Sequence, residues 1–154
     1  MNMESPEMRA PASPSLWEGE NHRLEPHRAR PSGAVPAVDL LLDMDERFRR
    51  RASQQQLPTI ATRRSRRGRE RLPILRESRD GWALTIRYSE TARARELDKT
   101  RDWVVIQYSR RGVRGQATVV TEYRGPLVGT RVVRGREREC FRLRWNFSRN
   151  DLSA

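Results

Sequence analysis

Asp43 and Asp45, in the stretch LLLDMDERF, form a D-x-D pair, and two such carboxylates can hold a divalent cation. In nucleotidyl transfer such a pair sits on a strand beside a Gly-Ser turn. Here it lies in a stretch of helical periodicity, two positions apart and so on different faces, and the chain contains no Gly-Ser. The expectation is a pair of solvated helix acids. Cys140 is the single cysteine, which leaves neither an intrachain disulfide nor a cysteine zinc site. Arginines around it would lower a thiol's pKa, but no base stands near it in the sequence, and a free cysteine ordinarily packs. The two histidines, His22 and His27, fall in a Pro-rich segment without further zinc ligands nearby. The rest of the chain therefore has no histidine general acid. No catalytic residue, no metal site and no cofactor is expected.

Positive charge is the stronger signal. Residues 1–35 carry 4 Arg against 5 Glu, whereas residues 36–154 carry 28 Lys+Arg against 15 Asp+Glu, so the whole basic excess lies in the part with folding potential. Lys99 is the only lysine among the 32 basic residues. A guanidinium fork matches phosphate geometry, which favours a polyanionic partner, although a GC-rich genome would also replace Lys by Arg. RRSRRGRER, residues 63–71, packs six Arg and one Glu into nine positions without apolar periodicity, and reads as a loop or extended arm. A second group, Arg131, Arg134 and Arg136, lies on and just after a short strand pattern. Within RGRERE, 134–139, Arg and Glu could instead pair with each other on a solvated face.

The elements that must position these residues follow from period and punctuation. Residues 1–36 hold six of the nine prolines and read as a disordered tail, with Trp17 its one large aromatic. AVDLLLDMDERFRRRASQQQ, 37–56, places Leu41, Met44 and Phe48 three and four apart, with acids early and Arg late, and predicts a helix. GWALTIRYS (81–89) alternates Trp82, Leu84, Ile86 and Tyr88 on one face. TARARELD (91–98) predicts a short helix capped by Ser89 or Thr91. DWVVIQYS (102–109) and QATVVTEY (116–123) predict an antiparallel hairpin across RRGVRG. After the Gly/Pro turn RGPLVG, TRVVRG predicts a fourth strand.

The fold class expected is α+β: a small, mainly antiparallel four-stranded sheet with an N-terminal helix and one short helix. The domain would run from 37 to 145, between the tail 1–36 and a C-terminal tail 146–154. One sheet face would be buried, while Arg87, Arg131 and Arg134 would lie on the other face or the edges. Trp82, Tyr88, Trp103, Tyr108 and Tyr123 could stack bases, but at strand period aromatics are more often core.

The stretches LLDMDERFRRRA, LPTIATRR, LPIL, GW, SETARARELDKTRDWVVIQY and QATVVTEYRGPLVGTRVVRGREREC, spread over residues 37–140, resemble a segment of prokaryotic helix-hairpin-helix proteins. Those proteins are related to the DNA-binding front end of family X DNA polymerases. The resemblance implies DNA association linked to repair, and it implies no catalytic residue. It has departures: Glu90, Arg95 and Asp98 stand where the relatives have Asn, His and Gly. ATRRSRRGR also stands where they have APRRFNPEG, and the Pro-rich segment occupies the place of their Gly-hairpin modules.

The expectation is thus a non-enzymatic nucleic-acid-binding domain, with DNA ahead of RNA. Its phosphate contacts would come from Arg63, Arg64, Arg66, Arg67, Arg69 and Arg71, supplemented by Arg131, Arg134 and Arg136. Such contacts position without specifying sequence. The alternatives are a module that docks on an acidic or DNA-repair protein, and a diverged relative that has lost DNA binding. MNMESPEMRAPASPSLWEGE lacks the basic and apolar regions of a signal peptide, and no apolar run approaches the ~20 residues of a membrane span. A cytoplasmic, nucleoid-associated location without a membrane partner is expected.

Overall fold

The computed structural model describes residues 33–61 and 70–151, with side chains as far as residue 146. The first helix, α1 (Val38–Ser53), forms because Val38, Leu41, Met44, Asp45 and Phe48 recur on one face, and all five are buried. Asp39 in its first turn and Arg50 and Arg51 in its last complement the helix dipole. Pro58 lies just beyond the helix and precedes β1 (Thr59–Ala61), a three-residue strand. There follow β2 (Arg71–Arg79), β3 (Trp82–Tyr88), the one-turn helix α2 (Ala92–Glu96), β4 (Val104–Arg110), β5 (Val113–Thr121), a 3-10 turn (Gly125–Leu127), β6 (Arg131–Val133) and α3 (Glu137–Asp151).

The six strands form one antiparallel meander in the order β1-β2-β3-β4-β5-β6. Two tight turns set the register. Asp80-Gly81 joins β2 to β3 and Arg111-Gly112 joins β4 to β5, with φ of 52° and 77° in the first and 46° and 80° in the second. Left-handed conformation at both central positions matches the right-handed twist of the flanking strands. Strand alternation then places Leu75, Leu84, Ile86, Ile106, Val119 and Val133 on a single face, where α1 packs. α3 joins that layer beside α1 and β6: Cys140 is buried, Leu143 is partly buried, and the Cys140 Sγ accepts the Val133 amide at 3.3 Å.

Gly115 is required by its neighbour across the sheet. It pairs with Tyr108, whose ring lies flat over it, and a Cβ there would stand 2.5 Å from the Tyr108 hydroxyl oxygen. The same ring meets Trp82 edge-on at 5.4 Å, and the Arg110 guanidinium lies 4.0 Å over the Trp82 ring.

The α+β class, the N-terminal helix, the short second helix and the antiparallel hairpin stand as expected. Thr91 caps α2, accepting the Ala94 amide at 3.2 Å. Four strands, however, become six. β2 was hidden because LPIL is apolar on both faces and contains Pro73, so no alternation shows, and β1 is too short to carry a pattern. α3 runs to Asp151, across the boundary expected between 145 and 146. Its signal was the pair Cys140 and Leu143, three apart, inside a run dominated by charge. The expected tail, 1–36, lies outside the described residues up to position 32; Gly33 and Pro36 belong to the fold, their carbonyls accepting from Arg110 and Arg136. No helix among the described residues is long and apolar enough to cross a membrane.

Candidate nucleic-acid interface

Because α1 and α3 occupy one face of the sheet, the opposite face is left without a helix from either. Its side chains fall in rows set by the strand register. Ser78, Ala83, Ser109 and Arg114 form one row, and Arg76, Thr85, Gln107 and Gln116 the next. The third row is Ile74, Arg87, Val105 and Thr118, continued by Arg134, whose amide donates to the Thr118 carbonyl at 2.9 Å. Not one position of these rows is a carboxylic acid. Arg76, Arg114 and Arg134 are exposed and form no ion pair among the described residues. Arg87 is half-buried and paired with Glu90 at 2.8 Å. At that end Ile74 and Val105 are buried, so the open part is the pair of polar rows, with Arg134 at the margin.

Arg134 lies with its guanidinium 4.4 Å over the ring of half-buried Trp103. Stacking fixes the plane of the fork and leaves its outward N–H groups for an acceptor. Gln107 and Gln116 offer both donors and acceptors in the middle of the face, and Thr85 and Thr118 offer hydroxyls. The arrangement can hold phosphate oxygens on arginine forks a few strands apart, with neutral hydrogen-bonding groups between them.

The nine arginines expected to contact phosphate fall into different settings. Arg63, Arg64, Arg66, Arg67 and Arg69 lie outside the described residues; the strands flanking them are paired, Ala61 opposite Arg71. Arg71 is exposed, and its Nε and Nη2 donate to the Thr59 hydroxyl (2.8 Å) and carbonyl (3.2 Å), neutral acceptors that leave its charge uncompensated. Arg134 is on the open face.

Arg131 must be corrected. It pairs with Thr121 on the helix-covered face, three residues and one side flip from Arg134, not on the outer face. Its Nε and Nη2 bond Asp45 at 2.9 and 2.8 Å, and its Nη1 bonds the Asp102 carboxylate and carbonyl, each at 2.7 Å. The Thr121 hydroxyl and Val119 carbonyl take further bonds. With its donors engaged by two carboxylates, this side chain has none left for a phosphate. Arg136 is also committed, to both Glu139 oxygens at 2.9 and 2.6 Å and to the Pro36 carbonyl at 2.7 Å. It therefore follows the Arg–Glu pairing that RGRERE allowed.

The groups considered for covalent or metal chemistry are occupied as well. Asp43 pairs with Arg79, and Asp45, 1% exposed, is a buried partner of Arg131 rather than a solvated helix acid. Burial pushes the Cys140 thiol above its ordinary pKa. Trp82, Tyr88 and Tyr108 are core, Trp103 is half-buried and Tyr123 is exposed.

Arg76, Arg114, Gln107 and Gln116 were missed by sequence reading. Arg76 lies in β2, whose pattern the local sequence conceals, and Arg114 lies in β5 within the expected hairpin loop RRGVRG. No protein-family model, curated protein or solved structure matches this chain.

Proposed function

We propose that this chain is a non-catalytic nucleic-acid-binding protein, acting on DNA ahead of RNA, which holds the phosphate backbone on the open face of its sheet. Arg76, Arg114 and Arg134 supply the charge there, and the arginines of 63–71 add further phosphate contacts. The observation that carries this reading is a pair of outward rows without a carboxylate, with Arg134 at their margin, whose three exposed arginines have no ion-pair partner among the described residues. A solvated face with no partner would be expected to interleave signs, as the helix-covered side does with Arg47–Glu77 and Asp43–Arg79. The link to repair rests on the resemblance to the helix-hairpin-helix proteins. Contacts of this kind bind with little sequence preference.

Fluorescence anisotropy with labelled duplex DNA, single-stranded DNA and RNA, across ~50–200 mM salt, tests it. The wild-type protein should bind duplex DNA more tightly than RNA, and the log–log salt slope should fall by about 2 to 3 in Arg76→Gln/Arg114→Gln/Arg134→Gln, one unit or slightly less per phosphate contact. An unchanged slope in that variant rejects the open face as the site.

A further inference from the structure

The outward side of α3 carries two exposed aromatics that the nucleic-acid reading does not use. Phe141 is 41% exposed and Trp145 59% exposed, one helical turn apart, and their rings stack at 6.1 Å with planes 22° from parallel. On one side of Phe141 a cleft of about 350 Å3 runs to Pro126 and Leu127 of the 3-10 turn. On the other side a second concavity of about 300 Å3 is lined by Phe141, Arg142, Trp145 and Asn146. The two share Phe141 and Arg142 in their linings, so they adjoin as an apolar trough along the helix. Adjoining exposed aromatics of this size on a small domain mark an interaction surface.

Charge around the trough indicates what fits it. Arg124, Arg138 and Arg142 line it and make no ion pair among the described residues. Its two carboxylates are turned to backbone: Glu122 accepts the Tyr123 and Arg124 amides at 2.8 and 3.0 Å, and Glu137 accepts the Gly135 amide at 2.7 Å. An apolar floor with guanidinium groups at the rim complements a segment that carries an apolar anchor beside carboxylates. Walls made by Pro126 and Leu127 suit an aliphatic or aromatic side chain more than a row of bases. Phe141 and Trp145 have moreover already covered one ring face each by stacking on the other.

We infer that this trough docks an acidic, amphipathic peptide segment of a partner protein, with its apolar side chain beside Phe141 and its carboxylates on Arg138, Arg142 and Arg124. The surface is separate from the open sheet face, so a nucleic acid and a protein partner could be held at once.

The test is to pan a random peptide library displayed on phage against the full-length protein. Selected peptides are then measured on wild type, Phe141→Ser/Trp145→Ser and Arg138→Glu/Arg142→Glu, with circular dichroism to confirm that the variants are folded. The expected result is enrichment of peptides with Leu or an aromatic among Asp and Glu, binding at least about tenfold weaker to both variants. Duplex DNA affinity should be unchanged in Phe141→Ser/Trp145→Ser, which separates this outcome from failure of the nucleic-acid reading. Four results overturn the proposal. They are no enriched class, acidic peptides that bind both variants as well as wild type, single-stranded DNA binding that is present in wild type and lost in Phe141→Ser/Trp145→Ser, and a sedimenting dimer that dissociates in the same variant and so assigns the trough to a second copy.

Discussion

Arg131 and Asp45 stand 86 positions apart in the chain and meet through two parallel hydrogen bonds of 2.9 and 2.8 Å. Asp45 is 1% exposed, and the same guanidinium takes Asp102 from the loop before β4. One arginine thus ties α1, β6 and the β3–β4 connection together. Removing one partner of a buried pair leaves the other charge uncompensated. Arg131→Met, which leaves Asp45 buried without its cation, should lower stability by about 3 kcal/mol or more in urea titration, whereas Asp45→Leu/Arg131→Met should recover much of that loss. Equal stability of Arg131→Met and wild type would show that the pair carries no structural weight.

Arg131 and Arg134 provide a sharper contrast, because they are three residues apart on opposite faces. Arg131→Gln should reduce the urea midpoint and leave the per-phosphate salt slope of the remaining folded protein unchanged. Arg134→Gln should do the reverse, flattening the slope by about one unit with stability within about 0.5 kcal/mol. Identical behaviour of the two variants would contradict the assignment of the faces.

The arm makes its own prediction. Changing Arg63, Arg64, Arg66, Arg67, Arg69 and Arg71 to Gln should flatten the salt dependence of DNA binding without altering the thermal midpoint by more than a few degrees. Unchanged binding by this variant would remove 63–71 from the interface.

Gly115 is the third structural test. An added methyl would lie 2.5 to 2.7 Å from the Tyr108 hydroxyl and ring atoms, a rigid group that cannot yield without disturbing Trp82. Gly115→Ala should therefore cost about 1–3 kcal/mol and change the near-ultraviolet dichroism of Trp82 and Tyr108. Combined with Tyr108→Leu, it should cost less than the sum of the single changes.

Two groups give opposite pH signatures. Arg136 holds the Glu139 carboxyl below its ordinary pKa of 4.5, so this pair's contribution is present above the unfolded pKa and disappears as pH falls through the lowered value. Because Glu139 is largely exposed, Glu139→Gln should be destabilised at neutral pH by no more than about 0.5 kcal/mol, and the difference should vanish in stronger acid. Burial raises the Cys140 thiol above 9.0, which favours the folded state below the unfolded pKa and loses effect as pH rises through the raised value. Alkylation of native Cys140 by iodoacetamide, followed by mass spectrometry, should accordingly track global unfolding; rapid labelling of the folded protein would refute its burial.

Much of the fold was legible locally. The spacing of Leu41, Met44 and Phe48 determined α1, and the alternation of Trp82, Leu84, Ile86 and Tyr88 determined β3 and its buried face. Arg111-Gly112 set the β4–β5 turn, although the strands run closer to it than the flanking arginines suggested. β2 was concealed by apolar residues on both faces and by Pro73. The Asp80-Gly81 dipeptide beside it was the clue that could have shown it.

The excess of positive charge, its placement after residue 35 and the near absence of lysine are properties of the sequence alone. Which arginines remain available for a partner was decided only by tertiary structure. A strand reverses side-chain direction at every residue, so Arg131 turned toward Asp45 and Asp102 under the helices while Arg134 turned toward open solvent. The carboxylates that neutralise Arg131 come from positions 45 and 102, too distant in sequence for any local pattern to reveal them. The same packing left Phe141 and Trp145 outward on α3 and brought Arg76 and Arg114 onto one face from strands that are not neighbours in the sheet.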